Sequence, residues 1–91
     1  MIKQDIIHQV IERTGLQRNK AEAAVDTVFE TLKRALAEGQ RIELRGFGSF
    51  ELNHRPPRTG RNPKSGQTVQ VPEKYRPHFK AGRELRERVN S

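Results

Sequence analysis

The strongest chemical signal in this 91-residue chain is a cluster of basic side chains. Between Leu52 and Arg83 there are eight bases and one acid, Glu73, so this segment carries a formal charge of +7, equal to the net charge of the whole chain. A surface of one sign repels itself unless it binds a polyanion, and nucleic acid is the usual polyanion. We therefore expect phosphate binding by Arg55, Arg58, Arg61, Lys64, Lys74, Arg76, Lys80 and Arg83.

A stiff apolar ring stands among these bases. The run Arg61-Asn62-Pro63-Lys64-Ser65-Gly66 has proline early and glycine late, as tight turns require. A proline ring at the apex of such a turn can enter between two base pairs and unstack them. Turn prolines are also common in loops without function. The hypothesis that Pro63 acts as a wedge therefore depends on three features that occur together: the proline ring, a segment in which nearly all charges are positive, and a long hairpin.

Residues 54–74 are predicted to form an arm. Only Val69 and Val71 are suited to a core there, and a central strand is excluded because four residues lack amide donors, namely Pro56, Pro57, Pro63 and Pro72. The alternation of Thr68–Val71 favours a two-stranded β-ribbon that protrudes from the body and is mobile until it binds. Bases at every third residue then lie on both faces of the ribbon. Arginine suits the narrow minor groove and its acceptors.

The first forty residues form a neutral scaffold of six bases and six acids. Helical periodicity predicts a short helix ending at Gly15 and a longer helix ending at Gly39. The apolar face of the first helix consists of Ile6, Ile7, Val10 and Ile11. Asn19 and Glu22 have the spacing of a capping box near the start of the second helix, and an earlier first turn is the alternative. The short connection predicts a helical hairpin.

From Gln40 the period changes to that of strands. Two alternating runs, at 41–45 and 49–53, flank Gly46-Phe47-Gly48 and predict a β-hairpin. Residues 75–80 are expected to return to the body with Tyr75 and Phe79 as anchors. A last short helix, Arg83–Val89, should turn Leu85 and Val89 inward.

The predicted fold class is therefore α+β. It combines an N-terminal helical hairpin, an antiparallel three-stranded sheet with a long protruding β-ribbon arm, and a short C-terminal helix. We expect one domain over residues 1–91, with a body formed by 1–53 and 75–91 and an arm formed by 54–74.

The body is too small and too polar to close a core by itself. Only 32% of the residues are hydrophobic, and about seventy lie outside the arm, a size at which folding is marginal. We therefore expect a second chain to complete the core, most simply in a homodimer. The shared core is predicted to contain Val28, Phe29, Leu32, Leu36, Leu44, Phe47, Phe50 and Phe79.

Other chemistries have little support in the sequence. Cysteine is absent, which excludes disulfides and thiolate zinc sites and fits a reducing cytoplasm. No apolar run has the length of a signal peptide or a membrane span, so we expect a cytoplasmic protein without a membrane partner. Asp5, His8 and Glu12 share a helix face, but a solvated polar stripe explains them better than a metal site. We expect no enzyme, no cofactor and no metal.

Two function classes remain, a DNA-bending architectural protein and a basic RNA-binding or ribosome-associated protein. A wedge favours deformable duplex, so bent, gapped or nicked DNA should bind more tightly than intact DNA, whereas an RNA-binding protein would show no such gain. Phe47, Phe50 and Phe79 could form a stacking platform for RNA bases. Their glycine neighbours and the shortage of other large apolar residues favour a place in the core.

Three motifs resemble the HU and integration host factor family of bacterial histone-like proteins, across essentially the whole chain. They are Gly46-Phe47-Gly48-Ser49-Phe50, Arg58-x-Gly60-Arg61-Asn62-Pro63-Lys64-x-Gly66 and Pro77-x-Phe79-Lys80-x-Gly82-Arg83-x-Leu85. The resemblance implies an intertwined dimer whose arms embrace DNA, each inserting Pro63 from the minor groove, as is known for this family. It also implies a nucleoid location, DNA contacts from Arg45 and from Asn62 beside Pro63, phosphate contacts from Lys80 and Arg83 between the arms, and flanking contacts from Lys3 and Arg86.

Two segments are similar to the beta subunits of integration host factor rather than to HU. They are Arg41-Ile42-Glu43-Leu44-Arg45 and Pro57-Arg58-Thr59-Gly60, whereas the N-terminal half is more similar to HU. Beta subunits pair with an alpha subunit and prefer certain DNA sequences, and Glu43 and Arg45 match residues tied to that preference. The resemblance thus leaves open a heterodimer with an alpha-like subunit. Ala81 stands where the family usually has proline.

Overall fold

A computed structural model describes residues 1–91 as an α+β chain of two helices, five strands and a final helix. This agrees with the predicted fold class. The elements are α1 (Lys3–Thr14), α2 (Arg18–Ala37), β1 (Ile42–Leu44), β2 (Gly48–Arg55), β3 (Arg58–Arg61), β4 (Thr68–Val71), β5 (Lys74–Ala81) and α3 (Arg83–Val89).

The helical hairpin has well-defined ends. The backbone N–H of Ile2 donates to the Asp5 carboxylate at 2.7 Å, and α1 closes at Gly15, whose φ of 72° is left-handed as predicted. The predicted capping box of Asn19 and Glu22 is wrong, because α2 begins earlier, after Gln17, and has no side-chain cap. The Asn19 Oδ1 instead accepts a hydrogen bond from the neighbouring Lys20 N–H at 2.9 Å.

The core of the single chain is very small. Ile7, Ala21 and Val25 are buried between α1 and α2, and Ile6, Val10 and Ile11 pack against them, which confirms the predicted apolar face. Only five of 91 residues are buried in all. A single copy therefore leaves most of its apolar side chains in contact with solvent.

The three-stranded sheet has the order β1-β2-β5 and is antiparallel throughout. Its β1–β2 turn comprises residues 45–47, so Gly48 already lies in β2 rather than in the turn. A Cβ on Gly48 would lie 2.5 Å from the Lys80 carbonyl oxygen and 2.7 Å from the Phe79 ring. Glycine is needed there because β5 approaches so closely.

The arm is a two-stranded ribbon of β3 and β4, as predicted. Its pairing, from Arg58↔Val71 to Arg61↔Thr68, continues the register of β2 and β5, which ends at Arg55↔Lys74. The interruption covers two residues on each strand and includes three prolines, which donate no hydrogen bonds to a ladder. The radius of gyration is 19.1 Å, against about 12 Å for a compact domain of this length, because the ribbon protrudes.

Two predicted inward side chains are exposed. Val89 is 73% exposed because α3 does not pack extensively on α1 or α2, and Tyr75 is 60% exposed and lies against the His54 ring at 4.9 Å. The predictions for these two residues are therefore wrong within one chain. Phe79 does anchor β5, since its ring lies 5.2 Å from Phe47 and 4.8 Å from Phe50 between centroids. None of the helices is both long and apolar enough to cross a membrane.

Candidate nucleic-acid interface

The three-stranded sheet has one basic face and one apolar face. Because side chains alternate along a strand, Lys74, Arg76, His78 and Lys80 of β5 share a face, while Tyr75, Pro77 and Phe79 lie on the other. The register adds Arg55 to the basic face opposite Lys74, and Phe50 to the apolar face opposite Phe79. One face thus suits an anion and the other suits a core.

The first group of predicted site residues lines a concave surface at one end of the basic face, here named the sheet-end cleft. It is formed by the β1–β2 turn, the end of β5 and the start of α3, and its bases are Arg41, Arg45, Lys80, Arg83 and Arg86. Two acids, Glu43 and Glu84, also line it. Four of the five bases were predicted from the sequence, and they come from three separate elements.

A second group lines a concave surface where the sheet meets the ribbon, here named the arm-root cleft. Its bases are Arg55, Arg58, Lys74 and Arg76, and the remaining lining residues are Pro56, Val71 and Pro72. Arg55 lies directly opposite Lys74 in the ladder. Like charges in this position destabilise a sheet by roughly 0.2–1 kcal/mol. An anion bound between them would offset that repulsion.

The ribbon itself has two different faces. Arg58, Gly60, Val69 and Val71 lie on one face, and Arg61 lies on the other with Thr59, Thr68 and Gln70. This agrees with the prediction that bases lie on both faces. A Cβ on Gly60 would be 3.5 Å from a Val71 methyl carbon, which is ordinary contact, so the two valines lie beside the glycine without needing its small size.

The tip of the ribbon is a closed loop that exposes Pro63. Asn62 donates its N–H to the Gln67 carbonyl at 2.8 Å and accepts the Gly66 N–H on its own carbonyl at 2.7 Å. The Asn62 side-chain Oδ1 accepts the Lys64 N–H at 2.9 Å. Gly66 has a left-handed φ of 71° that completes the turn. Pro63 is therefore at the apex, with Arg61 and Lys64 on either side.

Acidic partners are concentrated outside the arm. Lys3 lies on the helical hairpin, away from both clefts, with its Nζ 2.8 Å from Asp26 Oδ1; this hydrogen bond and the charge of Asp26 raise the pKa of Lys3 above its usual 10.5. Glu73, the only acid between Leu52 and Arg83, is 3.0 Å from His54 Nε2. The arm arginines are left without carboxylate partners.

Two members of the basic face were not predicted from the sequence, Arg41 and His78. Arg41 lines the sheet-end cleft, where its guanidinium lies 3.9 Å from both Glu43 and Glu51. His78 lies between Arg76 and Lys80 on β5. The alternation of residues 74–81 contained the signal for His78, since every second residue is basic or histidine.

The residues predicted to form a shared core are not covered in one chain. Val28 is 57% exposed and Phe47 is 46% exposed. Phe29, Leu44 and Phe79 are also exposed, and Leu32, Leu36 and Phe50 are only partly buried. A depression lined only by apolar side chains lies beside them, formed by Ile6, Val10, Ala24, Val25, Val28 and Phe29. An uncovered apolar surface of this kind marks an interaction site.

A basic sheet face, a basic ribbon and an exposed proline apex are joined in one small chain, and residues 1–90 match the family model described as bacterial DNA-binding protein. The chain belongs to the bacterial DNA-binding protein family. This is the family of HU and integration host factor, as the sequence motifs indicated.

Relatives in the bacterial DNA-binding protein family are similar over most of their length. Integration host factor subunit beta of Laribacter hongkongensis is 59% identical over 92 residues, covering 100% of this chain and 93% of the relative. That of Chromobacterium violaceum is 56% identical, covering 99% of this chain and 91% of the relative. The HU chain of an Anabaena HU–DNA cocrystal structure matches with a TM-score of 0.84 and 36% identity, covering 98% of this chain and 97% of that one.

Proposed function

We propose that this protein is a histone-like architectural DNA-binding protein, not an enzyme. It binds duplex DNA through the minor groove, bends it by wedging Pro63 between base pairs, and so compacts and organises the bacterial chromosome. The observation that carries this proposal is the ribbon, which holds arginines without carboxylate partners and exposes Pro63 at its apex. Cytoplasmic, nucleoid-associated location follows from that role.

We assign DNA binding mainly to the arm, residues 54–74, and dimerisation to the body, residues 1–53 and 75–91. In the bound complex Arg55, Arg58, Arg61, Lys64, Lys74 and Arg76 contact phosphates or the groove floor beside Pro63. Arg45, Lys80, Arg83 and Arg86 of the sheet-end cleft contact the DNA between the arms. Lys3 is a weaker candidate because Asp26 already neutralises it.

The partner subunit covers the exposed apolar surface in an intertwined dimer. The uncovered side chains of Val28, Phe29, Leu44, Phe47 and Phe79 support this assignment. A homodimer requires only this chain. The relatives called integration host factor subunit beta support a second candidate, a heterodimer with an alpha-like subunit and some preference for DNA sequence.

The decisive test is DNA bending measured by energy transfer between dyes on the two duplex ends. Wild-type protein should shorten the end-to-end distance at saturation, and Pro63→Ala should lose much of this bend while binding nearly as tightly, because its charge is unchanged. Lys64→Ala is the matched control: it removes a neighbouring cation, so it should weaken binding and keep the bend. Equal bends for wild type and Pro63→Ala would contradict wedging.

A second measurement separates the remaining candidates. Gel shifts of the protein alone should compare random, gapped, nicked and integration-host-factor-type duplexes. Tight binding to gapped DNA without sequence preference supports the homodimer, because gapped DNA is already partly unstacked. Weak binding that recovers only with an alpha-like subunit supports the heterodimer. Equal binding to structured RNA, with no gain for gapped DNA, would support a basic RNA-binding protein instead.

A further inference from the structure

We infer that Asn62 is a positioning residue for Pro63, and that its side-chain amide acts by building the tip of the arm rather than by contacting DNA. This inference rests on the proposed function, because it concerns how the wedge is held. It changes the role expected for Asn62, which the sequence had suggested as one of several DNA contacts.

The side chain of Asn62 forms a bridge across Pro63. Its Oδ1 accepts the Lys64 N–H at 2.9 Å, so residues on both sides of the proline are joined by one hydrogen bond. Such an Asx turn imitates a backbone turn. The Asn62 backbone adds two further hydrogen bonds, to Gln67 at 2.8 Å and from Gly66 at 2.7 Å. Asn62 thus makes three of the contacts that close the loop.

These contacts control the torsions that the proline ring leaves free. The ring sets φ of Pro63 near −65°, but ψ of Asn62 and ψ of Pro63 can still rotate. The hydrogen bond from Lys64 to the Asn62 Oδ1 spans both of these torsions and therefore limits both. Pro63 has no N–H of its own with which to form a hydrogen bond of this kind. The direction of the exposed ring is consequently set by its neighbour.

A fixed ring direction matters because insertion between base pairs is costly, at a few kcal/mol for each unstacked step. A ring whose direction is already fixed loses less conformational freedom when it inserts. The side chain at position 62 must also be uncharged, since it lies between Arg61 and Lys64, which are expected near phosphates. Asparagine meets both requirements, whereas aspartate supplies the oxygen with an unfavourable charge.

The test uses three substitutions in the full-length protein, with two measurements on each. Hydrogen exchange of the Lys64 amide in the free protein reports the turn, and energy transfer on an intact duplex reports insertion. Asn62→Ala should speed exchange of this amide and lower the equilibrium constant for insertion about fivefold, the equivalent of one neutral hydrogen bond of about 1 kcal/mol. Its affinity for pre-gapped DNA should change less than twofold, because no charge is lost.

The other two variants distinguish positioning from direct contact. Asn62→Ser retains a short side-chain oxygen. Its Lys64 amide exchange and its DNA bending should therefore lie between those of wild type and Asn62→Ala. Asn62→Asp should protect the Lys64 amide from hydrogen exchange as well as wild type does. It should nevertheless bind all DNA more weakly, because the added carboxylate is repelled by the phosphates. Asn19→Ala is the matched control: it removes a similar side-chain contact to the next N–H, at 2.9 Å, on α2, and should leave bending unchanged.

Several outcomes would overturn the inference. If Asn62→Ala bends DNA like wild type while Pro63→Ala does not, wedging by Pro63 is supported and the positioning role of Asn62 is contradicted. If Asn62→Ala weakens binding to every DNA equally and keeps the bend, Asn62 is a direct contact. If wild type and Pro63→Ala bend DNA alike, the proposed wedge itself fails, and the positioning role fails with it.

Discussion

The body and the arm of this protein are stabilised in different ways. In the helical hairpin Ile7, Ala21 and Val25 are buried, whereas no residue of the ribbon between Arg58 and Val71 is buried. The ribbon depends on its backbone ladder and on contacts beside Gly60. Two-stranded ribbons of this kind are marginal in water. The comparison teaches that the arm contributes little to folding and can be devoted to its ligand.

The two regions also differ in how their charged side chains are paired. Ion pairs in the body include Lys3 with Asp26 and Arg83 with Glu87, whereas the one carboxylate of the arm, on Glu73, contacts the His54 ring rather than an arginine or lysine. The cations of the arm repel one another until an anion binds. In the free protein, packing and ion pairs therefore stabilise the body more than the arm. We expect the arm to be stabilised most when it binds an anion.

Matched glycine substitutions should separate the two regions most clearly. Gly48→Ala in the body places a methyl group 2.5 Å from the Lys80 carbonyl and against the Phe79 ring, so it should lower the free energy of unfolding by about 3 kcal/mol. Gly60→Ala in the arm meets only ordinary contacts and should change it by less than about 0.5 kcal/mol. Urea denaturation measures both. Similar losses in the two variants would show that the ribbon is packed as tightly as the sheet.

The uncovered apolar surface of the body predicts melting that depends on concentration. Because folding and association are linked, a hundredfold dilution lowers the stability of a dimer by about 2.7 kcal/mol. For a dimer of this size the melting temperature should fall by roughly 5–10 °C. Calorimetry combined with sedimentation measures this change. A constant melting temperature and a monomer mass would contradict a shared core.

Two arginine substitutions should sharpen the electrostatic contrast. If the dimer neutralises about eight to ten phosphates, the slope of log affinity against log salt should be roughly −7 to −9. Arg61→Ala removes one unpaired arm cation from each subunit and should reduce the slope by about 2. Arg41→Ala should change it less, because Arg41 already lies near Glu43 and Glu51.

Binding titrations over a range of salt concentrations test this pair of variants. A wild-type slope near −2 would be too small for two wrapped arms. If Arg41→Ala and Arg61→Ala reduce the salt slope equally, the body cations contact the DNA phosphates as much as those of the arm do.

Much of the fold could be predicted because its signals are local. The spacing of Ile6, Ile7, Val10 and Ile11 indicates a helix face, and α1 ends at Gly15 as expected. The predicted capping box at Asn19 was wrong because a helix can begin without a side-chain cap, as α2 does after Gln17. Val89 was misplaced because periodicity identifies an apolar position without identifying the surface that covers it.

The amino-acid sequence alone determined the location of the positive charge, the breaks made by the prolines and the proline at the apex of the turn. All three follow from side-chain chemistry and local backbone limits. Only the tertiary structure decided which cations lie together, as Arg55 and Lys74 do across the ladder and Arg45 and Arg83 do around the sheet-end cleft. Strand register and the approach of distant elements create these groupings, and such long-range pairing cannot be read from any one segment.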